Sequence, residues 1–200
     1  MVGHKDNSPE QTRAQILDAA QQRFSQYGFG KTTMAEIAKD CNMSAANLYR
    51  FFENKHDIGA NLSCQCLENQ LIILNEIVAQ NTHSASSRLE EFVQALLHSI
   101  HQQWSDNPHM DEMVNSICQE SREIVEQHIL KKRELIATII KEGNRLGEFA
   151  VVDPDRTAAA VFTSLTLFVV PFLMPLFPLS ELEHKASEVV HLILMGLNKR

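Results

Sequence analysis

The sequence of 200 residues contains little glycine and proline, with seven Gly and six Pro. All-β sandwiches and barrels of this length need many turn residues, so this scarcity argues against them. No segment alternates apolar and polar side chains as a half-buried strand does. Apolar residues make up 44% of the chain, which suffices for a core, and the composition therefore favours an all-α fold.

Cysteine is also scarce, and its spacing does not suit a metal site. The four cysteines are Cys41, Cys64, Cys66 and Cys118, without a C-x-x-C motif or histidines at zinc spacing. Cys64 and Cys66 lie about 200° apart on a helix, so they cannot pair with each other. The N-terminus is polar and lacks a signal peptide. We therefore expect free thiols, a cytoplasmic location and no bound metal.

One uncharged segment, residues 157–180, resembles a membrane span at first sight. It contains three prolines, Pro171, Pro175 and Pro178, and several hydroxyl side chains. A helix buried on most sides, as at a subunit interface, fits this composition better than a membrane helix.

Other polar groups give weak signals. His98 and His101 stand at i, i+3 without a third ligand, so exposed histidines are favoured over a metal site. The basic run at 131–134, KKRE, lies among glutamates and is interpreted as a solvated helix face. We find no nucleophile–base arrangement and no carboxylate pair on the predicted faces, so neither an enzyme nor a cofactor is expected.

Helical periodicity and capping residues predict about nine helices and no strand. We place an N-terminal domain of three helices in residues 1–54 and a larger helical bundle in residues 55–200. The predicted helices are residues 9–27, 34–40, 44–52, 55–80 and 88–105, a short one ending near Cys118, and 121–146, 154–177 and 180–198.

The stretch TTMAEIAKDCNMSAANLYRFFENK, residues 32–55, combines two short helices and a tight turn. Thr33 and Glu36 have the spacing of a capping box. Asn42 can adopt the left-handed conformation of a turn, and Ser44 can cap the following helix. Cap, helix, turn, cap and helix together form the helix-turn-helix pattern.

The second of these helices has one apolar face and one suited to DNA. Leu48 and Phe52 lie about 40° apart and face the core, so Ala46 and Arg50 point away from it. Arg and Asn can read guanine and adenine, and Ala can contact a thymine methyl group. Donors at helix ends and on the rim suit phosphates. The predicted DNA-binding residues are Thr33, Ser44, Ala45, Ala46, Asn47, Tyr49, Arg50 and Lys55.

Charge is distributed unevenly. Residues 1–60 hold seven Lys/Arg and seven Asp/Glu, whereas the rest of the chain holds eleven against eighteen, and the net charge is −7. This permits a phosphate-binding head on an acidic body but does not require one.

Residues 10–62 resemble the DNA-binding domain of the TetR family of bacterial transcriptional regulators. The matching elements are ILDAAQQRFSQYGFGKTTMAEIA and MSAANLYRFFENKHDI. The resemblance implies a homodimer that binds a near-palindromic DNA operator, most often as a repressor, and is released by a small-molecule effector in its C-terminal bundle. Two positions depart from the family pattern: Asn42 stands where Gly is usual, and Phe51 where His or Tyr is common.

The resemblance also implies that the last two helices pair across a two-fold axis, and the apolar stripe on them agrees with this. The predicted interface residues are Val161, Phe168, Val169, Phe172, Leu176, Val189, Leu192 and Ile193. The implied effector pocket is harder to locate, and an aromatic, methionine and histidine set is one candidate. The candidate pocket residues are His98, His101, Trp104, Met110, Met113, Phe162 and Leu165.

The alternative to such a regulator is a helical small-molecule or thiol sensor that does not bind an operator. Ala45, Ala46 and Phe51 favour it, because they offer few hydrogen bonds to DNA.

Overall fold

The computed structural model describes residues 8–80, 83–106 and 122–198. These residues form nine α-helices and one 3-10 helix, and no β-strand is found among them apart from an isolated bridge between Phe149 and Asn198. The all-α prediction is confirmed, while the helix predicted to end near Cys118 lies outside the described residues. The helices are α1 (Pro9–Tyr27), α2 (Met34–Asp40), α3 (Ala45–Leu48), α4 (Lys55–Val78), α5 (Ala85–Asp106), α6 (Arg122–Leu146), α7 (Pro154–Ser164), α8 (Thr166–Val169), the 3-10 helix (Pro171–Leu176) and α9 (Leu179–Leu197).

The described chain divides into two compact units, and the division falls within α4. Of the described residues, the first unit comprises residues 8–66 and residue 122, and the second comprises residues 67–80, 83–106 and 123–198. Each unit has a hydrophobic core of its own.

The first unit is a small three-helix domain extended by the start of α4. Its core is formed by one face of each helix, and its fully buried members include Ile16, Phe24, Ile37, Leu48 and Phe52. Helices α1 and α2 begin and end where the sequence predicts. The third helix was predicted to reach Phe52 but ends at Leu48, and the Arg50 and Phe51 amides then donate to the Asn47 and Leu48 carbonyls in tighter turns. The Ser8 side chain accepts a hydrogen bond from the Gln11 amide, and Gly28 ends α1 with a φ of 90° that favours glycine.

The second unit is built around α5, which contacts α8, the 3-10 helix and α9. Gly143 in α6 allows the Phe149 ring to pack directly on the helix, since a Cβ there would lie 2.1 Å from Phe149 Cδ2. The Phe149 segment then pairs with the end of α9, where the Ala150 amide donates to the Leu197 carbonyl at 3.0 Å. These contacts hold the turn after α6 against the C-terminal helix.

The predicted continuous helix over residues 154–177 is wrong. The structure divides this segment into α7, α8 and the 3-10 helix, with breaks at Leu165 and Val170. Pro171 explains the second break, because proline has no amide hydrogen and drives the preceding residue to an extended backbone. Val170 has that conformation, with a ψ of 111°. No helix in the described ranges is long and apolar enough to cross a membrane.

Candidate functional sites

The turn between α2 and α3 has the geometry that the sequence predicts. Asn42 has a φ of 53°, the left-handed conformation that asparagine tolerates. The Ser44 hydroxyl accepts a hydrogen bond from the Asn47 amide at 3.2 Å and caps α3. The Thr33 hydroxyl likewise accepts from the Glu36 amide, and the Glu36 carboxylate accepts from the Thr33 amide at 2.9 Å. Local hydrogen bonds therefore define the N-termini of both α2 and α3.

Helix α3 presents a polar face to solvent. Leu48 and Phe52 are buried in the core, whereas Ala46, Tyr49 and Arg50 are exposed. Of the other predicted DNA-binding residues, Thr33 and Ser44 are exposed, Asn47 is half-buried, and Ala45 is half-buried against the core. The face available for base contacts is thus centred on Ala46, Asn47 and Arg50.

Arg13 fixes the end of the α3 segment, a role that sequence inspection missed. Its guanidinium donates to the Phe51 carbonyl at 2.7 Å and to Asn61 Oδ1 at 3.0 Å. The same group lies 4.2 Å from the centre of the Phe52 ring, within cation–π range. Arg13 therefore joins α1, the residues after α3 and α4, and it holds the exposed face of α3 in position.

A second arginine joins α1 to α2. The Arg23 guanidinium forms a bidentate ion pair with Asp40, with Nε–Oδ2 and Nη2–Oδ1 distances of 2.5 and 2.8 Å. These hydrogen bonds lower the pKa of the Asp40 carboxyl. The pKa of Glu36 is lowered chiefly by its hydrogen bonds from Thr33. Both carboxylates remain ionised at neutral pH, so the pair and the α2 cap persist there.

Lys55 lies on the rim of the first unit, but its side chain already has protein partners. Its Nζ donates to the Phe29 carbonyl at 2.6 Å and to the Gly30 carbonyl at 3.3 Å. It also lies 4.6 Å from the centre of the Phe29 ring. A phosphate contact from Lys55 therefore has to share the ammonium group with these carbonyls or displace them.

The candidate pocket residues that the structure describes have different surroundings. His98 is exposed, and its Nε2 lies 2.6 Å from Glu183 Oε1 on α9. Phe162 and Leu165 lie in the hydrophobic core, and His101 is half-buried. Met110 and Met113 lie outside the described residues, and the Trp104 side chain is not described either. No group of three His, Cys, Asp or Glu side chains within the described ranges is arranged to hold a metal ion.

A different polar group lies inside the second unit. Gln70 of α4 hydrogen-bonds Ser99 of α5 at 2.5 Å and His128 of α6 at 3.1 Å, and Lys132 lies one turn beyond His128. We call these four residues the buried polar cluster. Gln70, His128 and Lys132 are buried, and Ser99 is half-buried. The interpretation of the KKRE run as a solvated face is therefore wrong for Lys132, although Lys131 and Glu134 are exposed.

Helical spacing could have revealed the burial of Lys132. It shares a face of α6 with Ile136, Ile139, Ile140 and Gly143, all of which are buried. Burial lowers the pKa of Lys132 to about 7. Burial, assisted by Lys132 and Lys131, lowers the pKa of His128 to about 3, so this histidine is neutral at physiological pH.

Family models match both parts of the chain. "Bacterial regulatory proteins, tetR family" matches residues 16–60, and "Tetracyclin repressor-like, C-terminal domain" matches residues 85–190, more than half of the sequence. The chain belongs to the TetR family of transcriptional regulators. The second match shows that the resemblance extends well beyond the helix-turn-helix.

Individual relatives and solved structures are also similar to this TetR-family chain. The uncharacterized HTH-type transcriptional regulator YhgD of Bacillus subtilis is 27% identical over 168 residues, which span 77% of this chain and 78% of YhgD. A crystal structure of a protein from Mesorhizobium loti, provisionally assigned to the TetR family, has a TM-score of 0.77 at 15% identity and covers 97% of this chain and 100% of its own. A transcriptional regulator from Cytophaga hutchinsonii has a TM-score of 0.73 at 22% identity, with 92% and 97% coverage.

The residues predicted for the TetR-type dimer interface fall into two groups. Val161 and Phe168 are buried in the core of their own unit, so they retain little surface for a partner. Leu176 and Leu192 are exposed, and Val169, Val189 and Ile193 are half-buried. The Phe172 side chain is not described. Met195, which the prediction omitted, is also exposed and lies one turn from Leu192 on α9.

The described cysteines of this regulator are poor candidates for thiol chemistry. Cys41 is buried, and Cys64 and Cys66 are half-buried. Burial raises the pKa of the Cys41 and Cys66 thiols, which disfavours the reactive thiolate. Cys118 lies outside the described residues.

Proposed function

We propose that this TetR-family regulator binds a near-palindromic DNA operator as a homodimer and acts as a repressor that a small molecule releases. The observation that supports it best is the exposed face formed by α3 and the turn that follows it, where Ala46, Tyr49 and Arg50 are exposed while Leu48 and Phe52 are buried in the core. Such a helix fits the major groove, with small side chains allowing close approach and Arg reading guanine.

The proposed DNA-binding and effector-binding functions are assigned to successive parts of the chain. Residues 1–54 act as the DNA-binding domain, and residues 55–200 bind the effector and the second subunit. Asn47 and Arg50 make the main base contacts, whereas Thr33, Ser44, Tyr49 and Lys55 contact phosphates or the groove edge. Because its target is chromosomal DNA, we assign the protein to the cytoplasm, and it acts by binding rather than by catalysis.

The exposed apolar residues of α9 support the proposed homodimer. Leu192 is 70% and Met195 63% exposed, and the two lie one helical turn apart. Adjacent large apolar side chains at the surface are typical of interaction sites. Two heads joined in this way would enter successive major grooves about 34–36 Å apart.

Selection from random double-stranded DNA, at about 0.15 M salt, tests operator binding directly. An enriched inverted repeat is the expected result. A single half-site would argue against a dimeric operator complex. No enrichment by folded, dimeric protein would favour the alternative, a sensor without operator binding.

Sedimentation analysis of Leu192→Glu tests the interface. A buried carboxylate at the centre of a dimer interface should yield monomers that bind the selected operator weakly. Val152→Glu is the matched control, since Val152 is a fully exposed apolar residue in the same unit. A Leu192→Glu protein that remains dimeric would remove this face from the interface.

A further inference from the structure

Lys132 is a buried lysine to which no described residue supplies a counter-ion. Its residue is only 5% exposed, and no described residue forms an ion pair or a hydrogen bond with its Nζ. Burying an ammonium group is costly unless charges or hydrogen bonds compensate for it. Arg88 in the same unit is compensated in part, because its Nη1 donates to the Val78 carbonyl at 2.9 Å and pairs with Glu142 at 3.4 Å, while its Nε has no hydrogen-bond partner among the described residues.

The rest of the buried polar cluster does not compensate for Lys132. The Nε2–H of the neutral His128 ring donates to Gln70 Oε1, and Gln70 Nε2 donates to Ser99 Oγ. Ser99 Oγ in turn donates to the Leu96 carbonyl at 2.9 Å. Hydrogen bonds run in one direction along this chain and end on the backbone of α5. Lys132 takes no part in this network, which contains no carboxylate.

The surroundings of the cluster are apolar. Leu74, Leu96 and Ile136, each about one turn from a cluster residue on its own helix, are fully buried core residues. A small polar group set in an apolar lining is typical of sites for small organic molecules.

We propose that the effector of this regulator is an organic acid whose carboxylate pairs with Lys132 Nζ and whose apolar part lies against the core of the second unit. The inference rests on the proposed effector response and names the chemical class of the effector. Charged groups retained in the interior of a native structure commonly serve function at the expense of stability, and the partner that suits an ammonium group is an anion.

A carboxylate fits better than a phosphate. The cluster contains one ammonium group and no guanidinium, and its other members are neutral side chains. A phosphate dianion has three strong acceptor oxygens and usually needs several cationic or amide donors. One lysine suits one negative charge.

The test compares acids with their uncharged amides. The whole protein is unfolded in guanidinium, dialysed and refolded to remove any bound molecule, and calorimetry then measures the binding of octanoate, octanamide, benzoate and benzamide. Lys132→Met removes the charge and keeps an unbranched side chain of similar length. Lys131→Met, at the exposed neighbouring position, is the matched control.

At least one acid is expected to bind the wild-type protein about tenfold or more tightly than its amide. Lys132→Met should abolish this preference, and Lys131→Met should retain it. Without ligand, Lys132→Met should also raise the melting midpoint by about 2–4 °C, because it removes an uncompensated buried charge. The inference is overturned if neither acid outbinds its amide, if the preference survives Lys132→Met, or if that variant melts at a lower temperature.

Operator binding by the same proteins separates this inference from the proposed function. Intact operator binding without an acid preference overturns the inference alone. An acid that binds through Lys132 without changing operator affinity supports the site and overturns release by this effector.

Discussion

The two units of the molecule differ in whether charged and titratable side chains are buried. In the first unit the charged side chains lie at or near the surface, and Arg13 and Arg23 reach partners there. The second unit buries Arg88, His128 and Lys132. Arg88 has a carbonyl and a carboxylate as partners, whereas Lys132 has neither among the described residues. The contrast agrees with the proposed DNA-binding face in the first unit and the proposed effector site in the second.

The largest expected effect tests whether the reading face depends on the core beneath it. Leu48→Ala removes a fully buried side chain from α3 and should cost about 2–5 kcal/mol of unfolding free energy. Because α3 has only four residues, its position depends on this buried side chain, and specific DNA binding should be lost as well. Chemical denaturation and operator titration provide the measurements.

Tyr49→Ala is the matched control for stability, because Tyr49 is the exposed neighbour of Leu48. It should change the unfolding free energy by no more than about 0.5 kcal/mol. Equal destabilisation by the two variants would show that the exposed face of α3 is itself part of the fold.

The next prediction concerns base reading. Arg50→Ala should weaken operator binding by about 1–3 kcal/mol and relax the preference at the base pair that Arg50 contacts. Binding to the operator and to random DNA of equal length checks this. Equal losses on both would reduce Arg50 to a phosphate contact.

Lys55→Ala is the complementary variant for backbone contacts. If Lys55 contacts a phosphate, binding to all sequences should weaken alike, and the slope of log K against log salt should fall by about one. An unchanged slope would leave Lys55 only its contacts with the Phe29 and Gly30 carbonyls.

Burial of titratable groups predicts a pH dependence specific to the second unit. The pKa of Lys132 is lowered to about 7, below its ordinary value of 10.5, so between these values the unfolded chain binds more protons than the folded chain. Stability should therefore rise with pH from about 7 towards 10.5, by at most about 1.4 kcal/mol per pH unit. The pKa of His128, lowered from 6.5 to about 3, predicts a loss of stability as the pH falls through that window.

Denaturation of wild-type protein and Lys132→Met across this pH range separates the two groups. The variant should lose the alkaline rise and keep the acidic fall. An alkaline rise that persists in Lys132→Met would have to come from another group, and the contrast between the units would weaken accordingly.

The smallest effect concerns local determination of the helix-turn-helix. Thr33→Ala removes the cap of α2 and should cost about 1 kcal/mol of stability in the first unit. Thr33→Ser keeps a capping hydroxyl and should retain most of it. Hydrogen exchange of the α2 amides measures the change, and faster exchange in both variants would assign the effect to the lost methyl group instead.

The sequence predicted the first unit well because its signals are local. The caps at Thr33 and Ser44, the left-handed Asn42 and the buried spacing of Leu48 and Phe52 all involve residues within a few positions of each other. The carbonyl partners of Lys55 were not predictable in this way, because they lie 25 and 26 positions away.

The second unit was predicted in outline only. Its buried polar cluster depends on three helices, with Gln70 separated by 29 positions from Ser99 and by 58 from His128. Hydrophobic periodicity predicts which face of a single helix is buried, but it does not predict which helices pack against each other. The break before Pro171 and the burial of Lys132 were nevertheless readable, from proline chemistry and from the apolar face that Lys132 shares with Ile136.

The shortness of α3 limits the information that one head can extract from DNA. A four-residue helix that carries Asn47 and is followed closely by Arg50 can specify about two base pairs directly through these two side chains. The two DNA-binding domains of a dimer would double the number of base pairs specified, yet so short a DNA sequence recurs very often in a bacterial genome. The remaining selectivity would have to come from the spacing of the half-sites and from DNA deformability. A DNA-binding domain that specifies so few base pairs directly could acquire new target genes through few base changes.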